Sequence, residues 1–519
     1  MSQSMKRVAV VVALVVSTVM GTSSIVSANK EGGACKKAGT KTGIPGGTLV
    51  CTRVTSGKNK GKLVWTRTSA GGGSGSSGSS GSGSSSSGQA SLGGSCSESS
   101  GALKWDPIGV LVVCKGGKYK YAIPGDFPAT PAGGYKSRPS WYPTITQILG
   151  GGKAEPTCSS SSIKFTHPVI PLASLTTTIP YGMMVSDHVT PIDHAYLGLN
   201  TLEIPESQVK ESDYVSVTAP GDGTITELSS LGAPWTNRVT IDHGCGVYSV
   251  YMVLNRPTGV LAKYVSEMNA KGGYLKLSVP IKAGEVFGQQ RDNALDFNVF
   301  DGSQWLSGFA YPASYLTGEP WKPYTADYLP FFSGAIRTAM ENSLQRTTSP
   351  RIGKIDHDVF GSASGNWFLD GTFGYGGKAT ALYQNATGQI ASGGVDGKNS
   401  YAWSHLSISP HEVDVDQWVF SVGWFTDPKG DLQQMILDVS TGKPAPSSLT
   451  ASSGAVVYDL YQLSYNYSKP AGSRASAPVG YKLQRGQSKG QVILQVNADG
   501  SLSVEFGSAF TAAKRTYRR

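Results

Sequence analysis

The sequence predicts a mainly β, multidomain protein, and three observations carry that expectation. Glycine makes up 66 of the 519 residues while charged residues make up only 15%, against a usual ~7% and ~25%. Such a chain is rich in turn formers and poor in the charge pairs that support surface helices. From about residue 163 onward, apolar residues recur with period two between glycine turns, the spacing of half-buried strands. Helical patterning is convincing over only two segments, 261–270 and 335–344. With 39% hydrophobic residues the chain can bury cores, which argues against a disordered protein.

Taken in order, residues 1–28 read as a secretory signal peptide. Lys6 and Arg7 form the basic region, residues 8–19 the apolar stretch, and Val26-Ser27-Ala28 the small residues before cleavage. That stretch is shorter than the ~20 residues a spanning helix needs. No later segment is apolar enough to span, so the expected mature chain is secreted or cell-surface associated, without a transmembrane anchor. Residues 29–69 form a basic module, 70–91 a Gly/Ser linker, and 92–123 a second small module. Residues 124–160 read as a Pro/Gly connector, 161–332 as a β domain, 333–350 as a helical connector and 351–519 as a β-rich carboxy-terminal domain.

Charge is concentrated in one place. The chain carries a net charge of +10, and residues 29–70 hold nine basic side chains against one acid, Glu31. Residues beyond 70 sum to about zero, so the charge gives no support for nucleic acid as a partner of the main domains. A basic module suits anionic wall polymer or membrane surface, unless it is simply a solvated face. Six cysteines fit an oxidising compartment. Cys35 with Cys51, and Cys96 with Cys114, would close the two small modules and compensate for meagre cores. Cys158 and Cys245 would remain as a third, long-range pair, although six cysteines allow other connectivities.

The 161–332 region contains repeated strand–turn–strand units. Residues 214–219 lead through Gly221-Asp222-Gly223 into 224–227, read as a strand and its returning partner. Residues 237–241 and 247–254 flank the turn His243-Gly244-Cys245-Gly246, and 279–288 is another such unit. Three runs carry a resemblance: Val217-Thr218-Ala219-Pro220 with Gly223-Thr224-Ile225; Val239-Thr240-Ile241-Asp242-His243-Gly244 with Gly246 and Tyr251; and Val279, Ile281, Ala283-Gly284 and Gly288. Together they resemble the LytM/lysostaphin-type zinc endopeptidases, the M23 peptidases with their duplicated hybrid motif, over about residues 184–304. The resemblance implies an antiparallel β-sheet domain and, in active members, a zinc site that cuts cell-wall peptides.

The site residues depart from that family. Its first ligands come from an H-x-x-x-D motif; here His188 and Asp193 are separated by four residues instead of three, and His194 follows. Odd spacing places His188 and Asp193 on opposite faces of a regular strand, so both reach one metal only through a bulge or a kink at Pro191. The family's H-x-H falls at Ala294 and Asp296, and a further histidine falls at Val253. Period two puts Ala294, Asp296 and Asn298 on one strand face and Leu295, Phe297 and Val299 on the other, with the apolar trio in the core. The candidate binding cleft is therefore His188, Asp193, His194, Asp296 and Asn298. His188, Asp193 and Asp296 are the residues that could hold zinc, the only cofactor implied. No residue qualifies as catalytic, because alanine moves no proton and no histidine stands where neutral-pH acid–base chemistry needs one. His243 reads as a hydrogen-bonded turn residue.

In the carboxy-terminal region, strands are expected near 365–371, 418–425, 456–463, 492–496 and 501–506, the last two joined by Ala498-Asp499-Gly500. They suggest a barrel or sandwich. Asp356-His357-Asp358, with His405 and His411, could meet a cation or form a solvated loop. Lys514, Arg515, Arg518 and Arg519 read as an exposed basic tail. The leading expectation is a catalytically degenerate, M23-like envelope protein that binds peptidoglycan, another glycan or an envelope protein. The alternatives are a zinc endopeptidase with an altered ligand set, or a structural surface protein.

Overall fold

The computed structural model describes residues 41–44, 47–53, 62–68, 93–98, 103–105, 111–122, 126–150, 153–186, 188–199, 210–231, 236–291, 294–316, 318–372, 374–376, 404–423, 433–440, 442–467 and 477–519. The expected signal peptide, Cys35 and the Gly/Ser linker lie outside them. Among the described residues no helix is long and apolar enough to cross a membrane.

Two three-stranded antiparallel sheets come first. Strands β1 (Lys41–Ile44), β2 (Gly47–Arg53) and β3 (Leu63–Thr68) pair in that order, as do β4 (Leu103–Trp105), β5 (Leu111–Lys115) and β6 (Lys118–Tyr121). Cys51 in central strand β2 is disulfide-bonded, and Cys114 in central strand β5 is bonded to Cys96. Gly116 and Gly117, both at positive φ, make the two-residue turn that a tight hairpin needs. Residues 126–149, read above as part of a connector, instead pack on the main body. Tyr142 and Ile145 are buried with Val113, Phe127, Tyr248 and Tyr324. The Tyr142 hydroxyl donates to the Pro320 carbonyl at 2.9 Å. Aromatic burial outweighs the extended preference of a Pro/Gly-rich chain there.

The middle region is built from β7 (Leu175–Ile179), β8 (Ala195–Leu199), β9 (Val215–Thr218), β10 (Gly223–Ser230), β11 (Asn237–Asp242), β12 (Val247–Leu254), β13 (Arg256–Pro257), β14 (Tyr274–Ile281), β15 (Val286–Gln290) and β16 (Leu295–Asp301). Seven strands form one antiparallel sheet in the order β14-β10-β11-β12-β16-β8-β7, and β13-β15-β9 form a smaller one. Val217, Ile225, Val239, Ile241, Tyr251, Phe287 and Phe297 are buried in one core.

Two of the predicted strand–turn–strand units are not hairpins. β9 pairs with β15, whereas β10 pairs with β11 and β14. The turns at 219–223 and 282–285 therefore carry the chain from one sheet to the other, and of the three units β11–β12 alone is a hairpin. Gly223 permits that passage, because a Cβ there would lie 2.7 Å from Ile241 Cγ2 and 2.8 Å from the Asp242 carbonyl. The expected helix at 261–270 begins as a 3₁₀ turn, Gly259–Tyr264, and becomes α-helical only over Val265–Ala270. Short 3₁₀ pieces of this kind are frequent at helix ends. The second expected helix spans Gly334–Ser343.

The carboxy-terminal strands resolve the choice between barrel and sandwich. β17 (Gly365–Leu369), β18 (His405–Pro410), β19 (Trp418–Val422), β20 (Gln433–Leu437), β21 (Val456–Tyr465), β22 (Leu483–Val496), β23 (Leu502–Phe506) and β24 (Arg515–Arg518) form a closed barrel in sequence order. β24 closes it by pairing with β17. Trp367, Leu406, Ile408, Phe420, Leu460, Leu494 and Val504 help fill the interior. Phe368, one residue out of phase with Trp367, points the other way and meets Tyr315 and Tyr375 at 5.7 and 5.9 Å between ring centroids. The expected basic tail is not simply exposed. Arg518 pairs with Asp370 and Asp499 at 3.0 Å, and the Arg519 guanidinium lies 3.8 Å from the Trp367 ring centroid.

Candidate functional site

The candidate residues come from the β16 strand and from the segment entering β8. On β16, the period-two expectation holds. Leu295, Phe297 and Val299 are in the core, while Asp296 and Asn298 lie on the opposite face. Asp296 stands opposite Met252 of β12 and Tyr196 of β8, and His194, two positions before Tyr196, lies on the same side.

Upstream, Val185 and His188 exchange both backbone hydrogen bonds, at 3.0 and 2.9 Å, around Ser186 at φ +50°. Gly182 and Ile192 continue the contact with a 2.9 Å hydrogen bond. This local hairpin places the His188 ring edge-on to His194, with centroids 5.7 Å apart. His194 is the hub. Its Nδ1 lies 3.2 Å from Asp193 Oδ1 and its Nε2 lies 3.5 Å from Asp296 Oδ2. An imidazole is thus held between two carboxylates.

A second layer encloses this cluster. Trp321 Nε1 donates to Asp193 Oδ2 at 2.9 Å. Lys322, only 1% exposed, donates to the Pro191 carbonyl at 2.9 Å and pairs with Glu319 at 3.2 Å. The same face of the seven-stranded sheet is covered by Tyr142, Tyr324 and Leu316, with Trp141, Trp305 and Trp321 against them. The barrel adds Ser409, whose Oγ is 3.5 Å from Met184 Sδ, and Gln434, whose amide donates to the Ser186 carbonyl at 3.2 Å. Asp193, His194, Asp296 and Asn298 are all buried, and His188 is partly buried. Four of the five candidate residues are therefore interior, and His188 alone retains some exposure.

The charges follow from that enclosure. Burial works to raise Asp193, but Lys322 and His194 prevail and hold it ionised, below the usual carboxylate range. Burial opposes charge on His194 as well, yet Asp296 and Asp193 raise it. Asp296 is pushed by burial up to about 7, with His194 opposing and Asp193 adding. His188 is driven down to about 3 by burial and by the neighbouring His194 and Lys322. His194 Nε2, Asp296 Oδ1 and Asn298 Oδ1 make no hydrogen bond, so the 3.5 Å approach of His194 to Asp296 is a charge contact, and protonation of Asp296 would lessen the cost.

The donor set does not fit a zinc ion. Zinc needs three protein ligands converging on one point with a fourth position open. Among the described residues, the one group of three or more such donors within 4.8 Å of one another is Cys96, Glu98 and Cys114, and its two sulfurs are joined to each other. His188, Asp193 and Asp296 do not converge, because His194 stands between the two carboxylates and engages both.

The remaining histidines have structural partners. His243 Nδ1 meets the Asp222 carbonyl at 2.8 Å and its Nε2 meets Ser249 Oγ at 2.7 Å; burial lowers it to about 4. His405 Nε2 meets the Tyr375 carbonyl at 2.9 Å, and His411 Nδ1 accepts from the Val413 amide at 3.1 Å. Asp356 accepts from the Gly308 amide and Asp358 from the Asn366 amide, both at 2.8 Å. The 356–358 segment is therefore neither a cation site with those histidines nor a solvated loop: both of its carboxylates are buried.

Val253, where the family carries a histidine, has φ +58°, a conformation that a β-branched residue adopts at a strain cost. It sits at the register shift between β11 and β12. Trp321 and Lys322 were not suspected from sequence. They lie about 130 residues from the carboxylate and carbonyl they contact, and no local pattern marks them. No family model matches this chain, and no curated protein matches it.

Proposed function

We propose that this chain is a secreted, cell-surface-associated binding protein in which an M23-peptidase-like sheet has become a non-hydrolytic scaffold. The observation that carries this reading is His194 clamped between Asp193 and Asp296 beneath Trp321 and Lys322. Tyr142, Tyr324 and Leu316 pack over the same face of the sheet, which favours a site held closed by structure over one open to a peptide. The turn sequences and the resemblance across 184–304 support the peptidase-like ancestry. The pairs Cys96–Cys114 and Cys158–Cys245 support an oxidising compartment. Partners of this class are peptidoglycan, another wall glycan or an envelope protein.

The test incubates the full chain with purified cell wall in the presence of zinc, followed by sedimentation and amine release. Retention on the wall without released peptide is expected, unchanged by Asp296→Asn. Stoichiometric zinc that is lost in His188→Ala, together with peptide release, would instead establish a zinc endopeptidase with an altered ligand set.

A further inference from the structure

Among the described residues, the aromatic cover on the outer face of the seven-stranded sheet rests on Tyr248, Val250 and Phe300 of β12 and β16, and takes in no residue of β10, β11 or β14. On those three strands the register fixes which side chains point outward. Leu228, Val239 and Leu275 stand opposite one another and are buried in the core, so the residues on either side of each lie on the outer face. They form two rows: Tyr274, Ser229 and Arg238 in one, and Lys276, Glu227 and Thr240 in the next. Trp321, at the margin of the aromatic cover, adjoins the first row. The Arg238 guanidinium lies 5.3 Å from its ring centroid.

Arg238 has donors without acceptors. Its side chain is only 17% exposed, and its ion pair with Glu227, from Nε to Oε1, is 3.8 Å long. That Nε is buried with no hydrogen-bond partner. A guanidinium is a rigid fork of N–H donors matched to a carboxylate, and donors left unused in a largely desolvated place carry a cost that a ligand's acceptor relieves. Glu227 does not meet the need, because its oxygens already accept from the Ser229 hydroxyl at 2.8 Å and the Thr240 hydroxyl at 3.3 Å. Its charge does not bar an anion either. Lys276 stands opposite it on β14, so the two rows carry two cations and one acid.

Two rings bracket the fork. Tyr274, 51% exposed, lies on the β14 side, two strand spacings or about 10 Å from Arg238. Trp321 lies on the other side, tied to Asp193 ahead of β8 by its 2.9 Å hydrogen bond, so its orientation is set before any ligand arrives. A sugar suits this arrangement: its C–H face rests on an aromatic ring, its hydroxyls donate to Glu227, and a carboxylate substituent takes the fork. A peptide main chain is served less well. The backbone of β10 and β11 is spent in ladders on both sides and offers no strand edge there.

We propose that Arg238, with Glu227, Tyr274 and Trp321, forms a binding site for a carboxylate-bearing glycan. This rests on the envelope-binding reading above and names the partner chemistry and the surface for it.

The experiment measures binding of the full chain to glycan strands of peptidoglycan stripped of their peptides, so that the lactyl carboxylates are free. Native binding is expected, and amidation of those carboxylates is expected to weaken it about tenfold or more, the worth of a charged hydrogen bond. Arg238→Gln should lose a similar factor on untreated strands and much less on amidated ones, which separates a lost carboxylate contact from a damaged sheet. Arg238→Lys, which keeps the charge without the fork, should restore only part of the loss. Tyr274→Ala, at an exposed position, should weaken both forms by about fivefold. Absence of binding by the native chain, equal binding of amidated and untreated strands, native affinity in Arg238→Gln, or tighter binding to the released peptides than to the strands would each overturn the proposal. Retention on whole wall without binding to the strands would overturn it and leave the scaffold reading in place. Wall hydrolysis together with carboxylate-dependent strand binding would do the reverse.

Discussion

The barrel and the seven-stranded sheet solve the same problem of burial in opposite ways. The barrel closes on itself and fills its interior with Trp367, Leu406, Phe420, Leu460 and Val504. The sheet has one apolar face, built on Phe297, Tyr251 and Phe287, and a second face where Asp193, His194 and Asp296 are buried with Lys322 of the covering turn. Apolar burial needs no partner of fixed identity, but each buried charge depends on its counter-charge remaining in place. The sheet is therefore the more fragile to single substitutions and the more sensitive to pH.

The largest effect is expected at Lys322. Lys322→Met leaves Glu319 and Asp193 without their cation and should cost about 3–5 kcal/mol in denaturant unfolding, with recovery when Glu319→Gln is added. In the barrel, Leu460→Ala should cost about 2–5 kcal/mol, and no polar second change should restore it. A Lys322→Met cost below about 1 kcal/mol would show that the buried charges are dispensable, and the contrast would fail.

Next comes pH. Asp296 is raised to about 7, so its contribution to stability is fully present below its unfolded value near 4 and is lost as pH rises through 7. Asp296→Asn should therefore flatten the decline in melting temperature between pH 4 and 7. The barrel side behaves in the reverse sense. His405 is lowered by burial to about 3, so its contribution is present above about 6.5 and is lost on acidification. A melting profile in which Asp296→Asn alters only the acid limb would contradict this assignment. The smallest effect concerns Val253: Val253→Asn, which tolerates the left-handed region better, should gain about 1 kcal/mol, read as a higher denaturant midpoint. No gain would mean that the bulge carries no strain.

How much of this was legible in sequence depends on the range of the interactions involved. Alternation alone assigned Asp296 and Asn298 to one face and Leu295, Phe297 and Val299 to the other, because side-chain direction in a strand is a local property. The glycine turns at 221–223 and 282–285 were equally visible, but a turn sequence does not say whether the next strand pairs with the last or enters another sheet. Strand β18 escaped notice although Leu406-Ser407-Ile408-Ser409 has the period-two alternation of a strand, and its two serines are fully buried. They are buried because that outer wall of the barrel faces the rest of the protein, where Met184 meets Ser409. Trp321 and Lys322 were invisible because their partners are set by the tertiary fold.

The Cys158–Cys245 bond ties the segment ahead of the sheet to the β11–β12 turn across 87 positions of sequence. A protease that cuts once anywhere between those two cysteines cannot release either piece. Such a nicked chain would migrate as a single band on a non-reducing gel and separate into two only when thiol is added, so damage in that interval would go unseen wherever the surroundings stay oxidising.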